Sequence, residues 1–225
     1  MFWTEDKDDS QQFQVSDAVV DVVFSIQCKC IPRENAYLLS SALHQALPWL
    51  EEETNAGIHP VYGAESGNGW ERPDTELLYL SRRQKLMVRL PKSRVAQSEV
   101  LVGQTLEIGG YPLKVGDYDI KKLSDLPTIF ARNVVAGAQQ SEEEFMGQAL
   151  EQLQALGIRV QKMMCGKIGQ IDTPGGLLHT RSLMLADLER EESVLLQEQG
   201  LGPERKLGCG LFLPQKGISA VKSGG

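Results

Sequence analysis

Glycines and cations are concentrated in one stretch near the C-terminus, Gly200-Leu-Gly202-Pro-Glu-Arg205-Lys206-Leu-Gly208-Cys-Gly210. Two Gly-x-Gly pairs flank five residues that include Arg205 and Lys206. Glycine lets a backbone bend sharply and approach a phosphate closely. Amides in such a bend form an anion nest, and a central cation adds point charge. The spacing is not that of a Walker loop, which needs Gly-Lys-Ser/Thr opening a helix. A helix C-cap followed by a strand bulge explains the same glycines on local grounds. The chain has three histidines, His44, His59 and His179, the side chain best suited to moving protons near neutral pH. The cysteines are Cys28, Cys30, Cys165 and Cys209. The one-residue gap in Cys28-Lys-Cys30 is too tight for a zinc knuckle, and all four read as reduced thiols. No cluster of His, Cys or carboxylates has ligand spacing, so no metal and no cofactor is expected.

The formal net charge of −7 over 225 residues argues against a general nucleic-acid binder. It leaves room for a local basic face, because the carboxylates fall in runs at 5–9, 51–53, 142–144 and 189–192. Alternation places Arg83, Lys85 and Arg89 on one face of a strand and Leu86, Val88 and Leu90 on the other. With Arg82 and Arg94 nearby, that face reads as a rail for phosphates or as a solvated strand surface. A second hairpin carries Arg159, Lys162, Lys167 and Arg181 in the same manner. Trp70 suits either stacking on a base or the core. No stretch approaches the apolar length of a membrane span, and the start Met1-Phe2-Trp3 turns acidic at once, unlike a signal peptide. A cytoplasmic protein is expected.

The elements that must position these groups follow a repeated pattern. After a polar tail over 1–15, residues 17–31 read as a strand and 33–50 as a helix, with Ala36, Leu39, Leu43, Leu47 and Leu50 at helical spacing. Pro48 should end or distort that helix. A short strand over 57–62 leads into a glycine-rich loop at 63–69. Residues 77–90 are strand-like with a break near Ser81, 91–102 read as a short helix, and 105–123 as one or two strands. The order is β-α-β-β-α-β, and it then recurs: a strand at 128–135, and a helix at 141–156 with a Ser141/Glu144 capping box and Gly157 as its stop. Two strands at 158–171 and 177–188 follow, joined by the hairpin signal Asp172-Thr-Pro-Gly-Gly176. A short acidic helix at 189–199, the glycine loop and a last strand at 211–218 complete it. The fold class expected is α+β, with two ferredoxin-like units in tandem over 16–125 and 126–225.

A Gly-x-Gly, five residues, Gly-x-Gly loop before the final strand resembles the RAMP superfamily of CRISPR proteins. Within it the chain is similar to the sixth Cas family of repeat-processing endoribonucleases, in its MYXAN subtype. The resemblance runs from about Val20 to Ile218. It rests on Leu47-Pro-Trp-Leu50, Gly63-Ala-Glu-Ser-Gly-Asn-Gly-Trp70, Leu78-Tyr-Leu-Ser-Arg-Arg83, Thr180-Arg-Ser-Leu-Met184, Gly200-Leu-Gly-Pro and Gly208-Cys-Gly-Leu-Phe212.

The resemblance implies metal-independent cleavage of CRISPR repeat RNA, in which a ribose 2′-hydroxyl attacks the adjacent phosphate and leaves a 2′,3′-cyclic phosphate. It implies retention of the 3′ stem-loop of the crRNA within a Cascade-type complex. The expected partners there are other Cas subunits, among them the backbone subunit of the seventh family, or transposon targeting proteins. The first choice for the proton work is His59, at the end of a short strand beside the 63–69 loop. His44 shares a flank of the first helix with Tyr37 and Ser40, and some family members use a Tyr/His pair from this region. His179 reads as an RNA contact or an exposed side chain. Gly200, Gly202, Arg205, Lys206, Gly208 and Gly210 would cradle RNA phosphates, with Arg82, Arg83, Lys85, Arg89, Arg159, Lys162 and Arg181 along its backbone. Two other readings stay open. One is a non-catalytic RAMP subunit that binds guide RNA. The other is a general RNA-recognition module, against which the strands Ile26-Gln-Cys and Phe130-Ala-Arg offer no stacking pair.

Overall fold

A computed structural model describes residues 13–62 and 75–215. The loop at 63–69, Trp70 and the C-terminal part of the last expected strand lie outside the described residues. In chain order the strands of the first half are β1 (Val19–Gln27), β2 (Cys30–Pro32), β3 (Gly57–His59), β4 (Leu77–Tyr79), β5 (Lys85–Pro91), β6 (Thr105–Ile108) and β7 (Tyr111–Lys122). Helices α1 (Ala36–Ala46) and α2 (Val95–Ser98) belong to the same half. The second half holds β8 (Ile129–Val135), α3 (Glu142–Ala155), β9 (Lys162–Thr173), β10 (Gly176–Ala186), α4 (Arg190–Gln199) and β11 (Leu213–Pro214).

The first sheet runs β3-β5-β1-β7-β6 and the second β11-β8-β10-β9, with antiparallel pairing throughout. Each contains the order fourth-first-third-second of a β-α-β-β-α-β unit, so the chain is two ferredoxin-like units in tandem. Each sheet packs one face onto the helices of its own unit. Val20, Val22, Phe24, Leu86, Val88 and Leu90 pack with Leu39 and Leu43 of α1 in one core. Ile129, Ala131, Leu183 and Leu185 pack with Phe145, Leu153 and Leu196 in the other. Strand alternation therefore turns Val23, Met87, Phe130 and Arg132 to the opposite faces, away from these cores.

Local chemistry explains where the elements stop. The helix α1 ends at Ala46, and Pro48, lacking an N–H, opens a separate 3-10 turn over Pro48–Leu50. The capping box of α3 forms, with Ser141 Oγ accepting from the Glu144 amide and Glu144 accepting from the Ser141 amide. The break near Ser81 is wider than expected: β4 pairs with β2 in a small separate sheet, while β5 joins the main one. Arg82 and Arg83 consequently sit in an exposed turn and not on the β5 face.

Candidate active site and RNA-facing surfaces

Two clefts lie where the units meet. The first, about 530 Å³, is lined by Tyr37, Ser40 and His44 of α1, by Thr173, Pro174 and Leu178 of the β9–β10 hairpin, and by Glu204, Lys206 and Leu207 of the glycine loop. An apolar cluster of Ala36, Ile171 and Cys209, with Val135, Leu178 and Leu207 against it, joins the same three elements. Helical spacing explains the contribution of α1: Ala36, Leu39 and Leu43 face the core, so Tyr37 and His44, seven residues apart in number, share the outer flank. His44 is partly exposed, and its Nδ1 lies 2.7 Å from the Ser40 carbonyl oxygen. A carbonyl only accepts, so Nδ1 carries the proton in that bond and Nε2 of the neutral ring is left as a base. Lys206 donates from Nζ to the Glu51 carbonyl at 2.7 Å, which uses one of three ammonium protons.

The second cleft, about 570 Å³, opens between the faces turned away from the two cores and is lined by Val23, Lys85, Met87, Lys121, Phe130 and Arg132, with His59 and Gly208 in its wall. It continues over the second sheet past Met164, Ile168 and Met184, a hollow of about 630 Å³. The Arg132 guanidinium stacks 4.1 Å from the centre of the Tyr62 ring at this junction. Lys121, Arg132 and Tyr62 were not among the residues singled out from the sequence. The signal was present for Arg132, since alternation in β8 puts Phe130 and Arg132 on one face.

His59 reaches the second cleft from β3 but is only 8% exposed. Burial first, then the charge of Arg89 and more weakly that of Arg205, push its pKa down to about 3, against a smaller upward pull from Asp21. Its Nε2 stands 3.8 Å from Asp21 Oδ1 and has no hydrogen-bond partner. The ring is therefore neutral at physiological pH. His59 and His44 belong to different clefts.

Arg89 departs most from its expected place. It is fully buried, at 0% exposure, and is no part of an RNA-facing rail. Asp21 lies directly opposite it on β1 and accepts from Nε at 2.8 Å and Nη2 at 2.9 Å. Its Nη1 donates to the carbonyls of Gln197 and Phe212 at 2.9 and 3.0 Å, so the guanidinium ties β5 to the second unit. Burial alone would raise the Asp21 carboxyl, but the facing Arg89 holds it below the ordinary carboxylate value. Sheet alternation gave the face correctly, but the second unit covers that face at Arg89.

The glycine loop also turns inward. Gly200, Gly202, Gly208 and Gly210 all have positive φ, between 65° and 83°. The space beside three of them is filled by protein: a Cβ on Gly208 would come 2.3 Å from Pro60 Cδ, one on Gly210 2.1 Å from the Leu201 carbonyl oxygen and one on Gly200 2.1 Å from Arg205 Nη1, whereas Gly202 has only Gln152 Oε1 near it, at 3.8 Å. The Arg205 Nη2 donates to the carbonyls of Asn55 and Glu198. Gly208 and Arg205 thus seat the loop on the first unit, Gly200 and Gly210 pack within the loop, and Gly202 stays exposed.

The remaining candidate cations are less buried than Arg89. Lys85 is exposed at the start of β5. Arg159 and Lys162 are exposed and face Glu192 and Asp187 across the surface. Arg181 is half-buried and donates to the Gln140 carbonyl at 3.0 Å. His179 sits opposite Gln170 on the hairpin. Burial raises the Cys209 thiol to about 12, consistent with an inert packing role. Among the described residues no group of three His, Cys, Asp or Glu could hold a metal ion, and no helix is long and apolar enough to cross a membrane.

Comparison with known proteins agrees with this architecture. The family model for Cas6 Crispr matches residues 20–217. The CRISPR-associated endonuclease Cas6 of Myxococcus xanthus (strain DK1622) is 35% identical over 206 residues, spanning 92% of this chain and 86% of that protein. A solved CRISPR associated protein Cas6 superposes with a TM-score of 0.61 at 10% identity, covering 88% of this chain and all (100%) of the other. A RAMP protein binding different RNA substrates superposes with a TM-score of 0.58 at 13% identity, over 86% and 98% of the two chains. At such identities the solved structures speak for the fold, while the family match and the bacterial relative identify the lineage: the chain belongs to the Cas6 family of CRISPR-associated proteins.

Proposed function

We propose that this protein is an endoribonuclease that cuts CRISPR repeat RNA by attack of a ribose 2′-hydroxyl on the adjacent phosphate, with His44 as the proton-transfer group. One observation carries the assignment. His44, its Nδ1 fixed on the Ser40 carbonyl, presents Nε2 in a cleft that also holds Tyr37 and a lysine. The nucleophile lies within the substrate, so no metal is required to generate it. The protein must accept the 2′-hydroxyl proton, deliver one to the 5′ oxygen as the P–O bond breaks, and balance the added negative charge. His44 suits the proton work at Nε2. The Lys206 ammonium, with two protons not used by Glu51, suits the phosphorane oxygens. The Tyr37 phenol is a second donor beside the leaving group. His59, buried and neutral, is left with a structural role.

Single-stranded RNA flanking the hairpin would cross the second cleft. There Lys85, Lys121 and Arg132 supply charge, and Phe130 and Tyr62 supply stacking faces. The protein would then stay on the 3′ stem-loop and pass with it into a Cascade-type complex.

The test is single-turnover cleavage of the cognate repeat RNA by saturating enzyme in excess EDTA, with product ends mapped. The expected product ends in a 2′,3′-cyclic phosphate, and His44→Ala slows cleavage by about two to four orders of magnitude with little change in RNA affinity. A 3′-hydroxyl end or a strict need for magnesium would overturn the chemistry. A fully active His44→Ala would overturn the site. Tight RNA binding by the wild type with no cleavage would favour a non-catalytic RAMP subunit instead.

A further inference from the structure

We infer that Arg205 is a positioning residue: it clamps the glycine loop of the second unit onto the first and so holds Lys206 in the cleft opposite His44. The inference rests on the assignment of Lys206 above. His44 and Lys206 belong to different ferredoxin-like units, so the cleft works only if the units are held in register. The two cations occupy one 3-10 turn, Arg205–Leu207, which begins after Glu204 at φ 63° and closes at Gly208 at φ 83°. Non-glycine residues rarely adopt that left-handed backbone, so a turn with such a conformation at both ends is tightly specified.

From this turn both side chains reach across the junction. The Arg205 Nη2 bridges the Glu198 carbonyl near the end of α4, at 3.0 Å, and the Asn55 carbonyl just before β3, at 3.2 Å. Lys206 meets the Glu51 carbonyl on the same stretch of the first unit. Gly200 makes the room: a Cβ there would stand 2.1 Å from Arg205 Nη1 and 2.8 Å from the Gly210 carbonyl oxygen. Arg205 Nε and Nη1 are buried and have no hydrogen-bond partner. Leaving buried guanidinium donors unpaired is unfavourable. It would be a poor arrangement for stability alone; with Nε and Nη1 buried and both Nη2 protons donated to carbonyls, the half-buried group keeps no donor for an RNA phosphate. Burial and the nearby Arg89 charge lower its pKa to about 10, which still leaves it charged at neutral pH.

A double-mutant cycle tests this, using the full chain and cognate repeat RNA in single turnover. Lys206→Met is expected to slow cleavage by about two orders of magnitude, as for loss of one charge-stabilising donor. Arg205→Met is expected to slow it about tenfold, the worth of a charged hydrogen bond at the clamp. The decisive readout is the pair. In the Lys206→Met background, Arg205→Met should cost no more than about twofold further, because its effect passes through Lys206. RNA affinity and its salt dependence should be those of the wild type in Arg205→Met. Full additivity would overturn the inference while leaving Lys206 in place. A weaker, flatter salt dependence in Arg205→Met would show a phosphate contact and overturn it too. Lys206→Met cutting at the wild-type rate would instead remove the underlying assignment. If Arg205→Met does not fold, Arg205→Lys, which keeps the charge but lacks the planar guanidinium that fixes the bridge, runs the same cycle with the same criteria.

Discussion

Lowering the pH from 6.5 to about 4.5 should cost the folded protein about 2 kcal/mol through His59 alone. In the folded chain burial holds this imidazole at a pKa of about 3, against an ordinary value of 6.5. A histidine depressed on folding takes up its proton more readily in the unfolded state. Its contribution to stability is therefore full above 6.5 and declines as pH falls from 6.5 towards 3. Well inside that window the unfolded ring is charged and the folded one neutral, and the slope approaches about 1.4 kcal/mol per pH unit. Near 6.5 the unfolded ring is only half protonated, which brings the total over two units to about 2 kcal/mol. Asp21 does not confuse the reading. Its carboxyl is held below the ordinary 3.8, so its own contribution is lost only at still lower pH. The perturbation is His59→Gln, a polar side chain of similar size that does not titrate. The assay is urea unfolding at pH steps across the window, comparing the variant with the wild type so that shared titrations cancel. The free-energy gap between them should move by about 2 kcal/mol in favour of the variant as pH drops. A constant gap would mean that His59 titrates normally in the folded protein, which would refute both its burial and the structural role assigned to it.

Three further outcomes are expected. Arg89→Met leaves Asp21 ionised and buried without its partner, and should destabilise the protein by about 3–5 kcal/mol in urea unfolding; a loss under about 1 kcal/mol would show the pair to be solvated. Gly208→Ala combines a left-handed backbone with a contact 2.3 Å from Pro60 Cδ. It should lower thermal stability by about 1–3 kcal/mol and slow cleavage even under saturating enzyme, whereas a phosphate-cradle role would show as lost RNA affinity. Replacing Lys85, Lys121 and Arg132 together with Gln should reduce the salt slope of RNA binding by about 0.7 per lost contact, and an unchanged slope would place the RNA elsewhere.

What the sequence determined by itself is the content of local chemistry. Ser141 with Glu144 caps α3, Pro48 separates α1 from the turn after it, and Asp172 to Gly176 turns one strand back on the next. Each depends on groups a few residues apart, as does the helical spacing that puts Tyr37 and His44 on one flank. The doubled β-α-β-β-α-β order was legible for the same reason, and so was the demand of the glycine loop for left-handed backbone. Alternation on β5 showed that Lys85 and Arg89 share a face, but not what lies over it. That needed Asp21 from another strand and two carbonyls from the other unit. Position beside a glycine-rich loop made His59 the first choice for catalysis, yet its pKa is set by burial and by two arginines distant in the chain. Lys206 read as a phosphate contact, and its place in the cleft that His44 also lines depends on how the two units dock. Only the tertiary structure decided these points. Solvent access and the field at a titrating group are sums over everything nearby in space, and neighbours along the chain are a small part of that sum.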